Sequence, residues 1–221
     1  MARSGDGSVE FNWSTELYAD HPLVGLIWSV KAQQFVSPSV LANALSGVPI
    51  VLVGERHDQP DHHRLQAWVI GQLTPGTAVG FEMLNEEQAD GVSDATDIKS
   101  LSTRTNWSKN GWPDFKIYAP IFETVYRMGH IPYAIHPSRK RLRDAMMGPT
   151  SQKLQEQQST QVIEAPGIEA LKKAIEDGHC GYATPSLVNA MVLAQSFKDQ
   201  WMTRKIMEVQ TDGQRAIIAG N

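Results

Sequence analysis

The sequence predicts an α/β fold: a mainly parallel sheet with helices on both faces, forming one domain that carries a helical or irregular insertion. Three observations carry this reading. Pro49-Ile50-Val51-Leu52-Val53 is a continuous apolar run stopped by Gly54, as in a strand of a parallel sheet. A second run, Ala78-Val79-Gly80-Phe81-Glu82-Met83, follows after one helix's worth of chain, the length of a right-handed crossover. The 221 residues are 41% hydrophobic, enough for a full core.

Residues 1–34 read as an N-terminal extension, polar through Asn12 and then apolar from Leu23 to Val30, which suggests a helical piece. The domain proper spans 35–221. Pro38 to Leu45 reads as a short amphipathic helix ended by Gly47. The run at 49–53 is expected to be buried on both faces and to pair in parallel with 78–83. Between them, Pro60 opens a helix in which Leu65, Trp68, Val69 and Leu73 recur at helical spacing until Pro75-Gly76.

Residues 85–117 are polar, punctuated by Trp107, Trp112 and Pro113, and hold no sustained period; they read as an insertion or lid. A helix is expected from Pro120 to Met128, closed by Gly129. A third strand, Ile131 to Ile135, ends at His136-Pro137. Ser138 to Met147 is a basic helix containing Arg139, Lys140, Arg141 and Arg143, and Gln152 to Gln161 is a polar helix or connector. Pro185 begins a long helix marked by Leu187, Met191, Ala194, Phe197, Trp201 and Ile206. Asp212-Gly213 then turns the chain into a fourth strand, Ala216-Ile217-Ile218-Ala219.

The formal charge of −4, with basic residues scattered apart from one cluster, excludes a broad cationic face for nucleic acid or anionic lipid. One cysteine, Cys180, excludes an internal disulfide and multi-cysteine metal sites. It lies in the turn Asp177-Gly178-His179-Cys180-Gly181 and reads as a small structural residue rather than a catalytic thiol. No apolar stretch is long enough to span a membrane, so the chain reads as soluble and unanchored as given.

Candidate chemistry gathers at the ends of the predicted strands, where Glu55, Glu82, His136 and Asn221 each follow an apolar run. Glu82 stands inside its run, and burying a carboxylate without a partner is costly, so a partner is implied. Glu55 and His57 are two apart and point the same way on extended backbone. They either share a cation or polar ligand, or serve the turn itself, Glu55 by accepting backbone N–H groups and His57 by capping.

His62 and His63 are adjacent on a helix, where side chains diverge by about 100°, so both cannot face one ion. His62, three residues before Leu65, is expected to border the core and His63 to turn aside. Tyr118 sits before the expected helix start; it is either a core-edge residue or a phenolate able to ligate ferric iron. The basic cluster Arg139 to Arg143 is either a solvated face or a reach toward a ligand's carboxylates.

Taken together, the motifs resemble the ChaN-like haem-binding proteins, which are related more distantly to erythromycin-esterase-like and Tiki-type proteins. The resemblance rests on Val53-Gly54-Glu55-Arg56-His57-Asp58 with Asp61-His62-His63-Arg64-Leu65-Gln66, and on Gly80-Phe81-Glu82-Met83. It continues through Trp112-Pro113, Tyr118-Ala119-Pro120-Ile121, Asp177 to Gly181, Met191 with Ala194-Gln195, Asp199 with Met202, and Ala219-Gly220-Asn221, covering roughly residues 35 to 221.

The resemblance implies an α/β fold, haem binding, a part in bacterial iron acquisition, and often an N-terminal lipid that places the protein in the periplasm or on the outer membrane. It implies a tyrosine ligand to the haem iron, carried over to Tyr118, with His57, His62, His63 and His136 as further candidates. Such proteins continue past Gly220-Asn221 into a Gly-His segment and carry a cysteine near the start. This sequence has neither, so a truncated core or a shortened soluble form is expected.

Two functions follow as expectations. In the first, the chain is a non-enzymatic haem-binding protein in which Tyr118 meets the iron, Trp112 and Met83 flank the porphyrin, and a homodimer buries the exposed surface. In the alternative it is a hydrolase of the erythromycin-esterase-like type, with Glu55, His57 and Glu82 binding a metal or activating water.

Overall fold

A computed structural model describes residues 13–148 and 165–220 of the chain. The polar run 152–161, the first twelve residues and Asn221 lie outside the described residues. The chain divides into two compact units, one made of Met1–Met83, Gln88–Ala134 and Gln210–Asn221, the other of Leu84–Glu87 and Ile135–Val209.

The first unit opens on a hairpin, not the helical piece expected there. β1 (Ile27–Ser29) runs antiparallel to β2 (Gln34–Val36), with Trp28 opposite Phe35. Those two rings meet edge to face at 5.0 Å, and Gln33 turns the chain at φ 53°. A cross-strand aromatic pair of this kind stabilises a ribbon too short to show a period. α1 (Pro38–Ser46) matches its expected bounds: the Ser37 side chain accepts from Val40 N–H, and the Gly47 N–H returns to the Leu45 carbonyl.

β3 (Ile50–Glu55), α2 (Pro60–Ile70) and β4 (Ala78–Asn85) follow. The segment after β4 contains two short helices, α3 (Ala89–Ser93) and α4 (Ile98–Arg104), the latter closed by a reciprocal cap between Asp97 and Ser100. α5 (Phe115–Arg127) begins five residues earlier than the sequence suggests, because Asp114 caps it by accepting from Lys116 N–H and Pro120 sits inside it rather than at its start. β5 (Ile131–His136) and β6 (Arg215–Gly220) complete the strands.

The sheet has the order β3-β6-β4-β5, and β6 is parallel to both of its neighbours, with Ile217 beside Leu52 on one flank and Gly80 on the other. The parallel architecture is as expected; the pairing is not. β3 and β4 do not touch as neighbours, because β6 stands between them. Burial explains the choice: Ala216, Ile217 and Ile218 are essentially inaccessible, as are the β4 residues Ala78, Val79, Phe81, Met83 and Leu84. β3 is therefore an edge strand, with Ile50 39% and Leu52 75% exposed, and only its Val51–Glu55 face is covered. The turn into β6 passes so close to the Gly76–Thr77 backbone that a Cβ on Gly213 would fall 2.8 Å from it.

In the second unit α6 (Arg139–Met147), α7 (Ala165–Gly178) and α8 (Pro185–Glu208) supply the helices. Ala145 and Leu193 pack together with Phe197 against them. The Ser138 side chain caps α6, and the Glu86 carboxylate accepts from Ser138 N–H at 3.2 Å and from Arg141 Nε at 2.7 Å. A carboxylate at a helix N-terminus is favourably placed, which offsets the basic residues of that first turn. The guanidinium groups of Arg141 and Arg204 lie 4.7 and 4.6 Å from the centre of the buried Trp201 ring. The lone thiol, Cys180, is exposed.

Candidate functional site

β3 delivers Glu55 to the interior of the first unit, and its carboxylate meets two imidazoles there. Oε1 lies 2.6 Å from His57 Nδ1, and Oε2 lies 2.8 Å from His63 Nδ1. Alternation along an extended backbone brings Glu55 and His57 to one side, where the two side chains meet each other. Among the described residues no group of three or more His, Cys, Asp or Glu side chains is arranged to hold a metal ion.

His63 is the buried histidine and His62 the outer one, the reverse of the expected phase. The helix begins at Pro60, so His63 and Gln66, three apart on one face, both lie over the end of β3. Gln66 Nε2 donates to the Val53 carbonyl, and its Oε1 lies 3.1 Å from His63 Nδ1. His63 Nε2 lies 3.1 Å from the His57 carbonyl. Both ring nitrogens thus face acceptors. Burial alone would lower the His63 pKa, but hydrogen bonds to Glu55, Gln66 and the His57 carbonyl, with the Glu55 charge, raise it. Burial would likewise raise Glu55, yet hydrogen bonds and charge from His57 and His63 hold it at about 2. The two form a buried ion pair. Gln66 is a site residue that sequence reasoning passed over; its spacing from His63 was the available signal.

Tyr118 lies within α5, 0% exposed, its ring 4.1 Å from that of His63. Its hydroxyl donates to the His57 carbonyl at 3.1 Å. Burial first, then the carboxylates of Glu55, Glu82 and Asp58, push the phenol well above its ordinary value. Trp107 holds the same region together: its ring packs on Phe115, Tyr118 and Phe122, and its Nε1 donates to the Pro113 carbonyl.

Glu82 lies inside β4, which continues three residues beyond it, and not at a strand end. The partner its burial demands is the β6 backbone: Oε2 accepts from Gly220 N–H at 2.7 Å and lies 4.0 Å from His57 Nε2. Gly220 packs directly on the His57 imidazole, so that any Cβ there would collide with the ring. Trp112 meets His57 edge on at 4.6 Å. The His57 side chain remains 33% exposed.

Glu55, His57, His63, Glu82, Trp112 and Tyr118 thus converge in the first unit. Met83 is buried in β4 and presents no surface. His62 turns outward, its Nδ1 accepting from Arg56 N–H at 3.0 Å. His136 closes β5 in the second unit, with Nδ1 2.6 Å from the Pro137 carbonyl.

A solved structure of ChaN from Campylobacter jejuni, described for cofacial haem binding, superposes with a TM-score of 0.71 at 19% identity, covering 88% of this chain and 79% of that one. At that identity the likeness establishes a shared fold. Comparison with curated proteins gives no match. The family model described as haem-binding uptake, Tiki superfamily, ChaN matches residues 41–221, which takes in every strand of the sheet and every residue of the site, and the chain belongs to that family.

Proposed function

We propose that this protein binds haem in the first unit at the carboxyl end of β3, with His57 and Trp112 presented to the ligand and Glu55, His63 and Tyr118 holding His57 from behind. The observation that carries this reading is a partly exposed histidine whose Nδ1 lies 2.6 Å from a buried carboxylate. Proteins orient metal-binding histidines in this way, giving one ring nitrogen to a carboxylate and leaving the other as the donor. Here that other nitrogen is Nε2, which borders Gly220 and lies 4.0 Å from Glu82 Oε2, and as an imidazole nitrogen it has the donor chemistry haem iron takes. Haem, when bound, supplies an iron centre in a flat apolar ring, and Trp112 provides an aromatic wall suited to it.

The family resemblance nominates Tyr118 as the iron ligand. In this arrangement its hydroxyl is given to the His57 carbonyl and its ring is enclosed, so a phenolate–iron bond requires the side chain to leave the core. We assign Tyr118 a positioning part. A role in bacterial haem or iron acquisition, and a homodimer covering the exposed edge of the ligand, belong to the same reading. The hydrolase alternative draws no support from Glu55, since a general base works best with a pKa near the operating pH and Glu55 is held at about 2.

Hemin titration followed at the Soret band tests the proposal. Wild type is expected to show a saturable shift, His57→Ala to weaken it strongly, and Tyr118→Phe to leave its position unchanged. The opposite pattern in the two variants overturns the ligand assignment, and a wild type without a saturable shift overturns haem binding.

A further inference from the structure

We propose that the first unit carries a second binding site, independent of the haem reading, for a small apolar organic acid. It lies between the N-terminal segment and the start of α2, in a cavity of about 710 Å³. Small-molecule sites occupy about 300–1,000 Å³ and are mostly apolar with a few placed polar groups. Its apolar walls are Trp13, Leu17, Tyr18, Leu23, Val24 and Leu65. Leu17 and Tyr18 are 72% and 71% exposed, so the rim of the cavity presents apolar surface to solvent.

The polar lining decides the chemical class. Asp61 is a lining carboxylate, but both oxygens are engaged: Oδ1 accepts from Ser14 N–H, Ser14 Oγ and Arg64, and Oδ2 accepts from Thr15 N–H. It fastens the N-terminal wall to α2 and leaves a cationic ligand little to bind. His62 lines the cavity with Nδ1 already accepting from Arg56 N–H, which fixes the ring proton on Nε2 and makes that atom a donor. Gln59 Oε1 accepts from Thr15 Oγ1 at 3.4 Å, leaving the side-chain amide N–H groups as donors. His21 stands in the same wall, its Nδ1 accepting from Leu23 N–H. An open apolar hollow in which His62 Nε2 and the Gln59 side-chain amide are donors, and in which the Asp61 charge is already met by Arg64 and the Ser14 and Thr15 N–H groups, fits an apolar body bearing a carboxylate. The wall from Trp13 to Gly25 precedes residue 41, where the family match begins.

Calorimetric titration of the full chain with 2-naphthoate, and with the uncharged 2-naphthalenemethanol, tests the site. The acid is expected to bind with one-to-one stoichiometry. The alcohol is expected to bind about tenfold more weakly, as is the acid to His62→Phe, the loss of one charge-assisted hydrogen bond. Ala19→Trp, an exposed lining position, fills the cavity and is expected to abolish binding without touching the core. Equal binding of acid and alcohol, or naphthoate binding that survives Ala19→Trp, overturns the proposal. Repeating the titration on hemin-saturated protein separates the two sites. Undiminished naphthoate binding supports a distinct site, displacement by hemin overturns it, and the Soret band reports on haem independently.

Discussion

Glu55 Oε2 and His63 Nδ1 stand 2.8 Å apart with both side chains fully buried, so a charge pair lies beneath the one histidine of the site that solvent reaches. Glu55 is held at about 2 against an ordinary 4.5, so the stability it contributes is complete above about pH 4.5 and is lost as the pH falls through about 2. His63 is raised above its ordinary 6.5, so its contribution is complete below pH 6.5 and is lost as the pH rises through that raised value. The pair is worth most between pH 4.5 and 6.5. Thermal unfolding across pH is expected to show the largest Tm gap between wild type and Glu55→Gln in that window, narrowing on both sides. A gap independent of pH would mean that the pair is not ionised.

His63→Leu removes the fully buried partner of Glu55, leaving Oε2 without its imidazole in the core while Oε1 keeps His57. Such losses cost about 3–5 kcal/mol, whereas replacing both partners by apolar groups is often close to neutral. Urea unfolding is expected to show the double variant Glu55→Leu/His63→Leu recovering most of the stability lost in the single one. Additive destabilisation would count against the pairing.

Gly220→Ala places a methyl where the His57 ring lies. Overpacking of this kind costs about 1–3 kcal/mol, and here the flexible side to give way is the imidazole. The expected outcome is a lower Tm together with weakened hemin binding. A variant with wild-type affinity would separate His57 from the ligand.

Tyr118→Phe deletes a donor whose acceptor, the His57 carbonyl, keeps His63 Nε2 as a second partner. The loss is expected at the low end of the hydrogen-bond range, about 0.5–1 kcal/mol, as a small shift in the urea midpoint. A loss several times larger would show that the hydroxyl does more than hold this carbonyl.

Leu52 and Ile217 are register partners on adjacent strands with opposite surroundings. Leu52→Lys is expected to change stability by no more than about 0.5 kcal/mol, while Ile217→Ala loses about 2–5 kcal/mol. Comparable losses at both positions would mean that the β3 edge is covered in solution.

The four long apolar runs, the burial demand of Glu82 and the shared side of Glu55 and His57 were legible in the sequence, because each depends on local pattern. The strand order was not. β6 reaches the middle of the sheet from more than a hundred residues away, and nothing in the runs at 49–53 or 78–83 records which neighbour they receive. The exchange of His62 and His63 had a similar cause: one residue of helical phase, set by Pro60 and by the pull of Glu55, decides which ring enters the core. The hairpin was hidden because its strands are three residues each, too short for any period.

The central place of β6 also sets a timetable for the nascent chain. Translation proceeds at about 5–20 residues per second, so β3 and β4 leave the ribosome on the order of ten seconds before the strand that joins them. For that interval two apolar strands wait with open edges, the situation in which chains cross-pair with one another or are held by chaperones. Slowing synthesis upstream of residue 215 would lengthen that exposure without altering the folded protein.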